Sequence, residues 1–416
     1  MTPSDIAGRV SPDRLDKHLS ALAAIGGTPN GGVNRQAFTT GDQVGRGYLN
    51  DLAQALNLEI SMDAIGNQFF RMAGTTGLDG PAISTGSHLD TQPTGGRLDG
   101  VLGIVAGFEA VAAMRESGFV PLYPVEIVNW TNEEGCRFAP GCMGSMVHCG
   151  VKQLEDFLPV TDSDGVTFAE ALRETFATSE FSPARETGRP IRAYIELHIE
   201  QGPLLERAGI PVGLVRSIQG CRWFEVEVTG ETRHAGTTPL LLRRDALRGA
   251  ITGIHAINET LHDPEDILRL TVGRLLVEPG APNVVPNHVV YTIDLRHPEE
   301  VILDRTEIQL RKLIVVNSEG CDTEIRRMVA YPPTPFDPVV LSVIESAAAD
   351  LGIQAMLIDS GAFHDALHLA RFGPSGMIFV PSVAGISHHP AEATAHADLV
   401  AGARVLTAAL VQLARA

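Results

Sequence analysis

The chain has 416 residues, and its 50 acidic and 32 basic side chains give a formal net charge of −18. This charge argues against nucleic acid or an anionic membrane surface as the main partner, because both attract clusters of Lys and Arg. With 44% hydrophobic and 20% charged residues, the composition is that of an ordinary globular protein, and the length allows two or three domains.

The cellular compartment is predicted from the first residues and the cysteines. The segment MTPSDIAGRV is polar and lacks the apolar core of a signal peptide, and no apolar run approaches the length of a membrane span. The five cysteines are scattered and odd in number, and they form no CxxC motif, as expected for reduced thiols. We therefore expect a cytoplasmic protein.

The first half of the chain alternates helices with short apolar strands. Such alternation is typical of βαβ units, in which a largely parallel sheet carries helices on both faces. The predicted helices span residues 12–25, 42–58 and about 101–117, and the predicted strands span 82–85, 125–130 and 194–199.

The pattern changes after Gly220. The segment WFEVEV, residues 223–228, alternates apolar and polar side chains, as a strand with one solvated face does. Further strands are predicted at 268–277, 289–295 and 321–329, with helices at about 243–261 and 298–317. This block resembles a compact α+β sandwich inserted into a larger domain.

The first pattern returns from about Pro332, with helices predicted at 339–351 and 364–370, strands at 355–359 and 377–380, and a final helix. The predicted fold class is therefore α/β, a discontinuous domain with a mostly parallel sheet and helices on both faces, plus the inserted α+β domain. The larger domain comprises residues 1–219 and 332–416, and the inserted domain comprises residues 220–331.

Histidine and acidic residues follow almost every predicted strand of the larger domain. In an open α/β sheet, ligands bind beyond the carboxyl ends of the strands, so these side chains are expected at one edge. The segments are GSHLD with His88 and Asp90, GGRLDG with Asp99, TNEEG with Glu133 and Glu134, HIEQG with His198, Glu200 and Gln201, and GISHHP with His388 and His389.

This set of donors suits a pair of divalent cations. Imidazole and carboxylate together bind zinc and similar cations, and two cations about 3.5–4 Å apart need a bridging carboxylate. We assign Asp99 as the bridge and Asp90 as a support for the His88 imidazole. Zinc is favoured, and manganese, cobalt and nickel also suit these donors. The predicted ligands are His88, Asp99, Glu134, His198 and His388.

Glu133 is the predicted general base. Neighbouring side chains of an extended segment point apart, so Glu133 and the ligand Glu134 can serve different roles. Taken alone, each residue has a simpler interpretation, because a single His near a strand end is usually structural and paired acids usually lie in a solvated loop. Their coincidence at one sheet edge favours the metal site.

The same segments resemble, in order and along nearly the whole chain, the carbamoylase branch of the aminoacylase and carboxypeptidase-like metallopeptidases. This branch contains N-carbamoyl-L-amino-acid hydrolases, β-ureidopropionases of the zinc type and allantoate amidohydrolases. The matching motifs are GSHLDTQPTGGRLDG, NWTNEEGCRF, ELHIEQGPLLE, HAGTTPLLLRRDAL, TIDLRHP, SGAFHDALHLA and FVPSVAGISHHPAE.

The resemblance implies contacts with a small substrate that carries a carboxylate. His234 would polarise the scissile carbonyl, in its own or in the partner subunit's site. Asn283 and Arg296 would form a substrate-binding pair, with Arg296 clamping the carboxylate. Gln201 and His364 would line the pocket. The resemblance also implies a homodimer joined through the inserted domain, which would act as a lid.

Spacing alone favours simpler roles for two of these residues. His234 would be a loop residue before a turn at Gly236, and Arg296 would form a surface ion pair with Asp294 or Glu299. The resemblance reverses both interpretations.

The chain departs from the family pattern at three places. Phe363 stands where SGAGHDA has Gly, Cys136 replaces the usual Ser or Ala, and Leu240–Leu241 replaces a Met–Asp pair. Phe363 would bring an apolar ring near the pocket, so it bears on the choice of substrate and not on the metal chemistry.

The predicted activity is hydrolysis of an N-carbamoyl-L-amino acid or N-carbamoyl-β-alanine to the amino acid, ammonia and carbon dioxide. The alternative is allantoate, an N-acyl amino acid or a dipeptide as substrate for the same metal centre. A non-catalytic binding protein would lack a ligand or the base. A dinucleotide-dependent oxidoreductase would show G-x-G-x-x-G, which GSHLDTQPTGG does not match.

Overall fold

The computed structural model describes residues 1–181 and 184–415. The chain divides into two compact units, of which unit 1 comprises Met1–Arg216 and Pro335–Ala416, and unit 2 comprises Ser217–Thr334. The inserted domain predicted at residues 220–331 lies inside unit 2.

The helices and strands follow in chain order. The helices are α1 (Pro3–Ala7), α2 (Pro12–Ala24), α3 (Thr40–Ala55), α4 (Val101–Glu116), α5 (Met143–His148), α6 (Leu154–Phe157), α7 (Phe168–Thr178), α8 (Leu204–Ala208), α9 (Ala246–Thr260), α10 (Glu300–Val316), α11 (Pro338–Asp350), α12 (Ala366–Phe372) and α13 (His396–Arg415). The strands are β1 (Glu59–Met62), β2 (Gln68–Met72), β3 (Ala82–His88), β4 (Val125–Trp130), β5 (Ile191–Ile199), β6 (Val212–Ile218), β7 (Gly220–Thr229), β8 (Arg233–His234), β9 (Arg269–Glu278), β10 (Val284–Val285), β11 (His288–His297), β12 (Asp322–Tyr331), β13 (Thr334–Pro335), β14 (Ala355–Ser360) and β15 (Ser375–Val380).

The sheet of unit 1 is parallel at its centre. Its nine strands lie in the order β1-β2-β4-β3-β5-β15-β6-β13, with β14 beside β6. β4, β3, β5 and β15 run parallel, whereas β1, β2 and β6 add antiparallel pairings that the sequence analysis did not predict. β3, β4 and β15 are buried along their whole length, which explains their continuous apolar sequences.

Two groups of helices cover this sheet. α4 is apolar on all sides, because it is enclosed by β3, β5, α2 and α13. α5 and α12 pack on each other and on β4, β5 and β15. The fold is therefore a mixed α/β architecture of the predicted class.

α13 is long and apolar enough to span a membrane, judged by length and composition alone. This contradicts the expectation that no apolar run reaches that length. However, 67% of its most apolar window is buried inside the protein, where the helix packs against α1, α4 and α11. The apolar composition of α13 is thus that of a core helix.

Unit 2 contains a four-stranded antiparallel sheet in the order β12-β7-β11-β9. Burial alternates residue by residue along β11, and helices α9 and α10 pack on the sheet. Glu225 on β7 forms ion pairs with Arg274 on β9 and Arg326 on β12. A separate two-stranded ribbon joins β8 to β10.

Gly86 should be required for the close approach of β3 to β4. Its φ is +144°, and an added Cβ would overlap the carbonyl oxygen of its partner Val128. We expect Gly86→Ala to cost at least about 3 kcal/mol of unfolding free energy, because rigid backbone must move. Denaturant titration followed by circular dichroism measures the loss.

Gly118→Ala is the matched control. Gly118 has a φ of +69° and open space around an added Cβ, so only backbone strain of about 1 kcal/mol is expected. Equal losses in the two variants would contradict the importance of the close approach at Gly86.

Candidate metal centre

The carboxyl ends of the central parallel strands meet at one edge of the unit 1 sheet. β3 ends at His88, and β5 ends one residue after His198. The segments that follow β3, β4 and β15 carry the other predicted residues of this edge, namely Asp99, Glu133, Glu134 and His388.

The Asp99 carboxylate lies between two groups of side chains. Its Oδ1 is 3.1 Å from His198 Nε2 and 3.7 Å from His88 Nε2. Its Oδ2 is 3.2 Å from His388 Nε2, which is itself 3.6 Å from a Glu134 oxygen. The predicted ligands form two groups of three with donor atoms within 4.8 Å, and Asp99 belongs to both; a third such group, of Glu196, His198 and His364, does not contain Asp99.

Backbone carbonyls orient the two buried imidazoles. His88 Nδ1 lies 2.8 Å from the Asp90 carbonyl, and His198 Nδ1 lies 3.0 Å from the Ile199 carbonyl. A carbonyl only accepts, so each Nδ1 carries a proton and each Nε2 is directed at Asp99. Burial lowers the pKa of His198, but the Asp99 carboxylate outweighs it and raises that pKa overall. The position thus favours positive charge.

Asp90 arranges the two neighbouring glutamates. Its carboxylate accepts hydrogen bonds from the backbone N–H groups of Glu133 and Glu134, each at 3.1 Å. Its oxygen is 3.9 Å from His88 Nδ1, so the predicted support of that imidazole comes from the Asp90 carbonyl instead. Glu133 then faces His88 at 3.5 Å, while Glu134 faces His388.

The Glu133 side chain is enclosed by protein. Its Oε1 lies 3.6 Å from the Cys142 Sγ. Burial raises the pKa of Glu133 well above its usual value; the nearby His88 opposes this shift and the buried Asp365 adds to it. A carboxylate whose pKa is raised holds a proton more readily than an exposed glutamate does, as a general base must.

Two predicted pocket residues lie against the candidate ligands. Gln201 Nε2 donates to Asp99 Oδ2 at 2.9 Å. The His364 ring lies 4.4 Å from the His198 ring, and its Nε2 is 3.1 Å from Ser360 Oγ. Burial and the neighbouring His198 hold the pKa of His364 well below its usual value, which favours the neutral ring.

Three further side chains contact Glu134 or Asp99 and were not predicted from the sequence. Gln92 donates from its backbone N–H and its side-chain amide to the Glu134 carboxylate, at 3.1 and 2.7 Å. Ser387 and Glu392 contact each other and the Asp99 segment. All three lie in motifs that the resemblance had marked, TQPTGG and SHHPAE, which was the available signal.

Unit 2 brings two of the predicted substrate contacts together. β8 pairs with β10 at His234 and Val284, and the Ala235 N–H donates to the Asn283 carbonyl. His234 is exposed, and its Nδ1 accepts the N–H groups of Gly236 and Thr237. In the neutral ring, Nε2 therefore carries the proton and can donate it.

Arg296 does not join this pair within one copy of unit 2. Asn283 lies just before β11, whereas Arg296 lies eight residues beyond His288 on β11, a distance of about 27 Å along the strand. Asn283 and Arg296 therefore lie toward opposite ends of β11 within one copy, and their joint role in substrate binding stays a prediction. Arg296 instead forms an ion pair with Asp294, at 2.8 Å.

Comparisons with known proteins give the same family as the motifs. Residues 85–412 match the model of peptidase family M20/M25/M40. The chain belongs to this family. It is 36% identical to the N-carbamoyl-L-amino-acid amidohydrolase of Rhizobium meliloti over 98% of this chain and 97% of that protein. It is 35% identical to the allantoate amidohydrolase of Bacillus subtilis, over 96% and 97%.

Solved structures agree. The amidase of the hydantoinase/carbamoylase family from Burkholderia multivorans shares 40% identity, covers 98% of each chain and superimposes with a TM-score of 0.90. The M20/M25/M40 member described by this structure is accordingly a hydrolase of amide C–N bonds, with groups of side chains that can hold a metal ion.

Gly100 should be required for the position of His88. Gly100 has a φ of +68°, its N–H donates to His198 Nε2, and an added Cβ would overlap the His88 ring. We expect Gly100→Ala to displace the imidazole and lower zinc affinity at least about tenfold. Equilibrium dialysis with zinc measures this, with Gly118→Ala as the control for backbone strain. Unchanged zinc binding in Gly100→Ala would contradict the assigned position of His88.

Proposed function

We propose that unit 1 binds two divalent cations that share Asp99. His88 and His198 would complete one site, and Glu134 and His388 the other. The supporting observation is the geometry of Asp99, whose two oxygens each face imidazole Nε2 atoms within the two groups of donors. Nitrogen lone pairs directed at a carboxylate need positive charge between them, and mixed imidazole and carboxylate donors suit zinc, with manganese, cobalt and nickel as alternatives.

The proposed reaction is hydrolysis of an N-carbamoyl-L-amino acid or N-carbamoyl-β-alanine. Several relatives of nearly equal length carry the name N-carbamoyl-L-amino-acid amidohydrolase. The alternatives are allantoate, supported by the name of the Bacillus subtilis relative, and an N-acyl amino acid or dipeptide. We also propose that the substrate is a small molecule with a carboxylate and that the protein is cytoplasmic.

Glu133 would act as general base and then as general acid. Bound cations would supply polarisation of the scissile carbonyl and acidification of water. Glu133 takes a proton from the attacking water, and the new C–O bond forms as the carbonyl oxygen gains charge. Glu133 returns the proton to the amino-acid nitrogen as its C–N bond breaks. The carbamic acid that leaves breaks down to ammonia and carbon dioxide.

Residues of unit 2 would bind and polarise the substrate. His234, with its proton on Nε2, would donate to the developing oxyanion. Arg296 would bind the substrate carboxylate in exchange for Asp294. Gln201 and His364 would contact the substrate from unit 1.

A homodimer through unit 2 accords with two features of its sheet. His234 and Asn283 lie at the opposite end of β11 from Arg296, so one copy of unit 2 does not offer all three to one small substrate. β9 is an edge strand that pairs with β11 in the described part of the chain, and its Leu275 and Leu276 are exposed. Such an edge can pair with a second copy. We propose dimerisation and lid closure as roles of unit 2.

Glu133→Gln tests the proposed base. The amide keeps the shape of the side chain but cannot take a proton, so we expect kcat to fall about 10²–10⁴-fold while zinc stays bound. Ammonia release and metal content measure the two effects. Glu109→Gln is a control, because Glu109 is a buried acid that bonds with Ser11 and Arg14. Residual activity within tenfold of the wild type would remove Glu133 from the role.

A substrate panel tests the reaction. Chelated protein is expected to release ammonia from N-carbamoyl-β-alanine or N-carbamoyl-L-amino acids only after a divalent metal is restored. Zinc, manganese, cobalt and nickel are restored one at a time, with allantoate and N-acyl amino acids as the comparison substrates. Turnover of allantoate or N-acyl compounds alone would reject the carbamoylase proposal and leave the proposed metal centre in place.

A further inference from the structure

One buried carboxylate joins the segment of Asp99 to the segment of His388. Glu392 is 2% exposed. Its Oε1 accepts the N–H groups of Leu98 and Asp99, at 2.9 and 3.1 Å. Its Oε2 accepts the Ser387 hydroxyl at 3.0 Å. Glu392 therefore contacts the main chain of the shared ligand and the residue next to His388.

A glycine leaves the space in which Glu392 approaches the segment before Asp99. A Cβ at Gly96 would overlap the Glu392 carboxyl group, so a residue with a side chain would exclude Glu392 from this position. Pro390 lies similarly close to Gly32, and the Val33 N–H bonds with the Gly95 carbonyl. The segment before Asp99 is thus enclosed by the segment that follows His388.

Ser387 extends the connection to the Asp99 side chain. Its Oγ lies 3.2 Å from Asp99 Oδ2 and 3.0 Å from the Glu392 carboxylate. Glu392 therefore bonds with the main chain of Asp99 directly, and the single proton of the Ser387 hydroxyl can go to either carboxylate.

We propose that Glu392 is a positioning residue that sets the orientation of Asp99 and its spacing from His388, and thereby the metal affinity of the centre. This inference rests on the metal centre of the proposed function. Glu392 has no direct contact with the candidate ligand atoms among the hydrogen bonds described, so its effect passes through Asp99 and Ser387. Residues that orient metal ligands in this way typically change metal affinity about 10–100-fold when removed.

The three donors that meet Glu392 explain why a carboxylate stands there. Truncation would leave two buried N–H groups and one hydroxyl without this acceptor, and the Asp99 segment would relax. A glutamine would still offer one oxygen to the two N–H groups. Its amide would donate to Ser387, whose hydroxyl can then donate to Asp99. Glu392→Gln should therefore rescue most of the geometry that Glu392→Ala loses.

Metal binding tests this proposal separately from activity. Metal-free wild type, Glu392→Ala, Glu392→Gln and Glu109→Ala are titrated with cobalt, followed by its visible absorption, and with zinc in competition with a chelator. We expect Glu392→Ala to bind at least about tenfold more weakly than wild type and Glu392→Gln to recover most of that loss. Glu109→Ala removes an equally buried carboxylate that accepts a backbone N–H. Glu109→Ala should lower the Tm of the metal-free protein without lowering the affinity for cobalt or zinc.

The outcomes distinguish the proposed role of Glu392 from the existence of the metal centre. Wild-type metal affinity in Glu392→Ala, or an equal loss in Glu109→Ala, would overturn the role of Glu392 while leaving the metal centre intact. A wild-type protein that binds no divalent cation would overturn the centre and this inference with it. If Glu392→Ala does not fold, Glu392→Asp decides instead, because it keeps the charge but ends about 1.5 Å short of the donors. Tight binding by that variant would also reject the proposal.

Discussion

The position of one carboxylate, that of Asp99, is the constraint on which the candidate centre depends. Its two oxygens face different imidazoles, so neither group of donors is complete without it. Asp99 follows no strand directly, and its segment is fixed by contacts from residues nearly 300 positions later in the chain. The parallel strands place the histidines and glutamates at one edge of the sheet. The Asp99 carboxylate lies among them and is the member that two adjoining groups of donors share.

The strand-end residues were accessible from sequence because their signal is local. A short apolar run that ends in His or Glu shows both the strand and its exit, and parallel strands bring these exits together, as for His88 and His198. The class of fold followed from the same alternation. The antiparallel strands β1 and β2 were missed because they are short and lack a distinctive pattern.

Other parts of the site depend on pairings that a single sequence does not display. The separation of Arg296 from Asn283 follows from the registers of β11 and of the β8–β10 ribbon. Gln92 and Glu392 act through contacts with distant segments. Asp90 was expected to support His88 with its carboxylate, but that carboxylate binds the backbone of Glu133 and Glu134, which spacing alone does not reveal.

The order of strands in unit 1 has a consequence for biosynthesis. β15 lies between β5 and β6 in the sheet, although the whole of unit 2 and two further helices are made before it. While β15 is still in the ribosome, β5 and β6 lack their shared neighbour, and the nascent chain exposes strand edges that the finished protein covers. The segment that follows β15 also brings His388 and Glu392. Unit 1 therefore completes its sheet and its candidate metal centre together, after unit 2 has been translated.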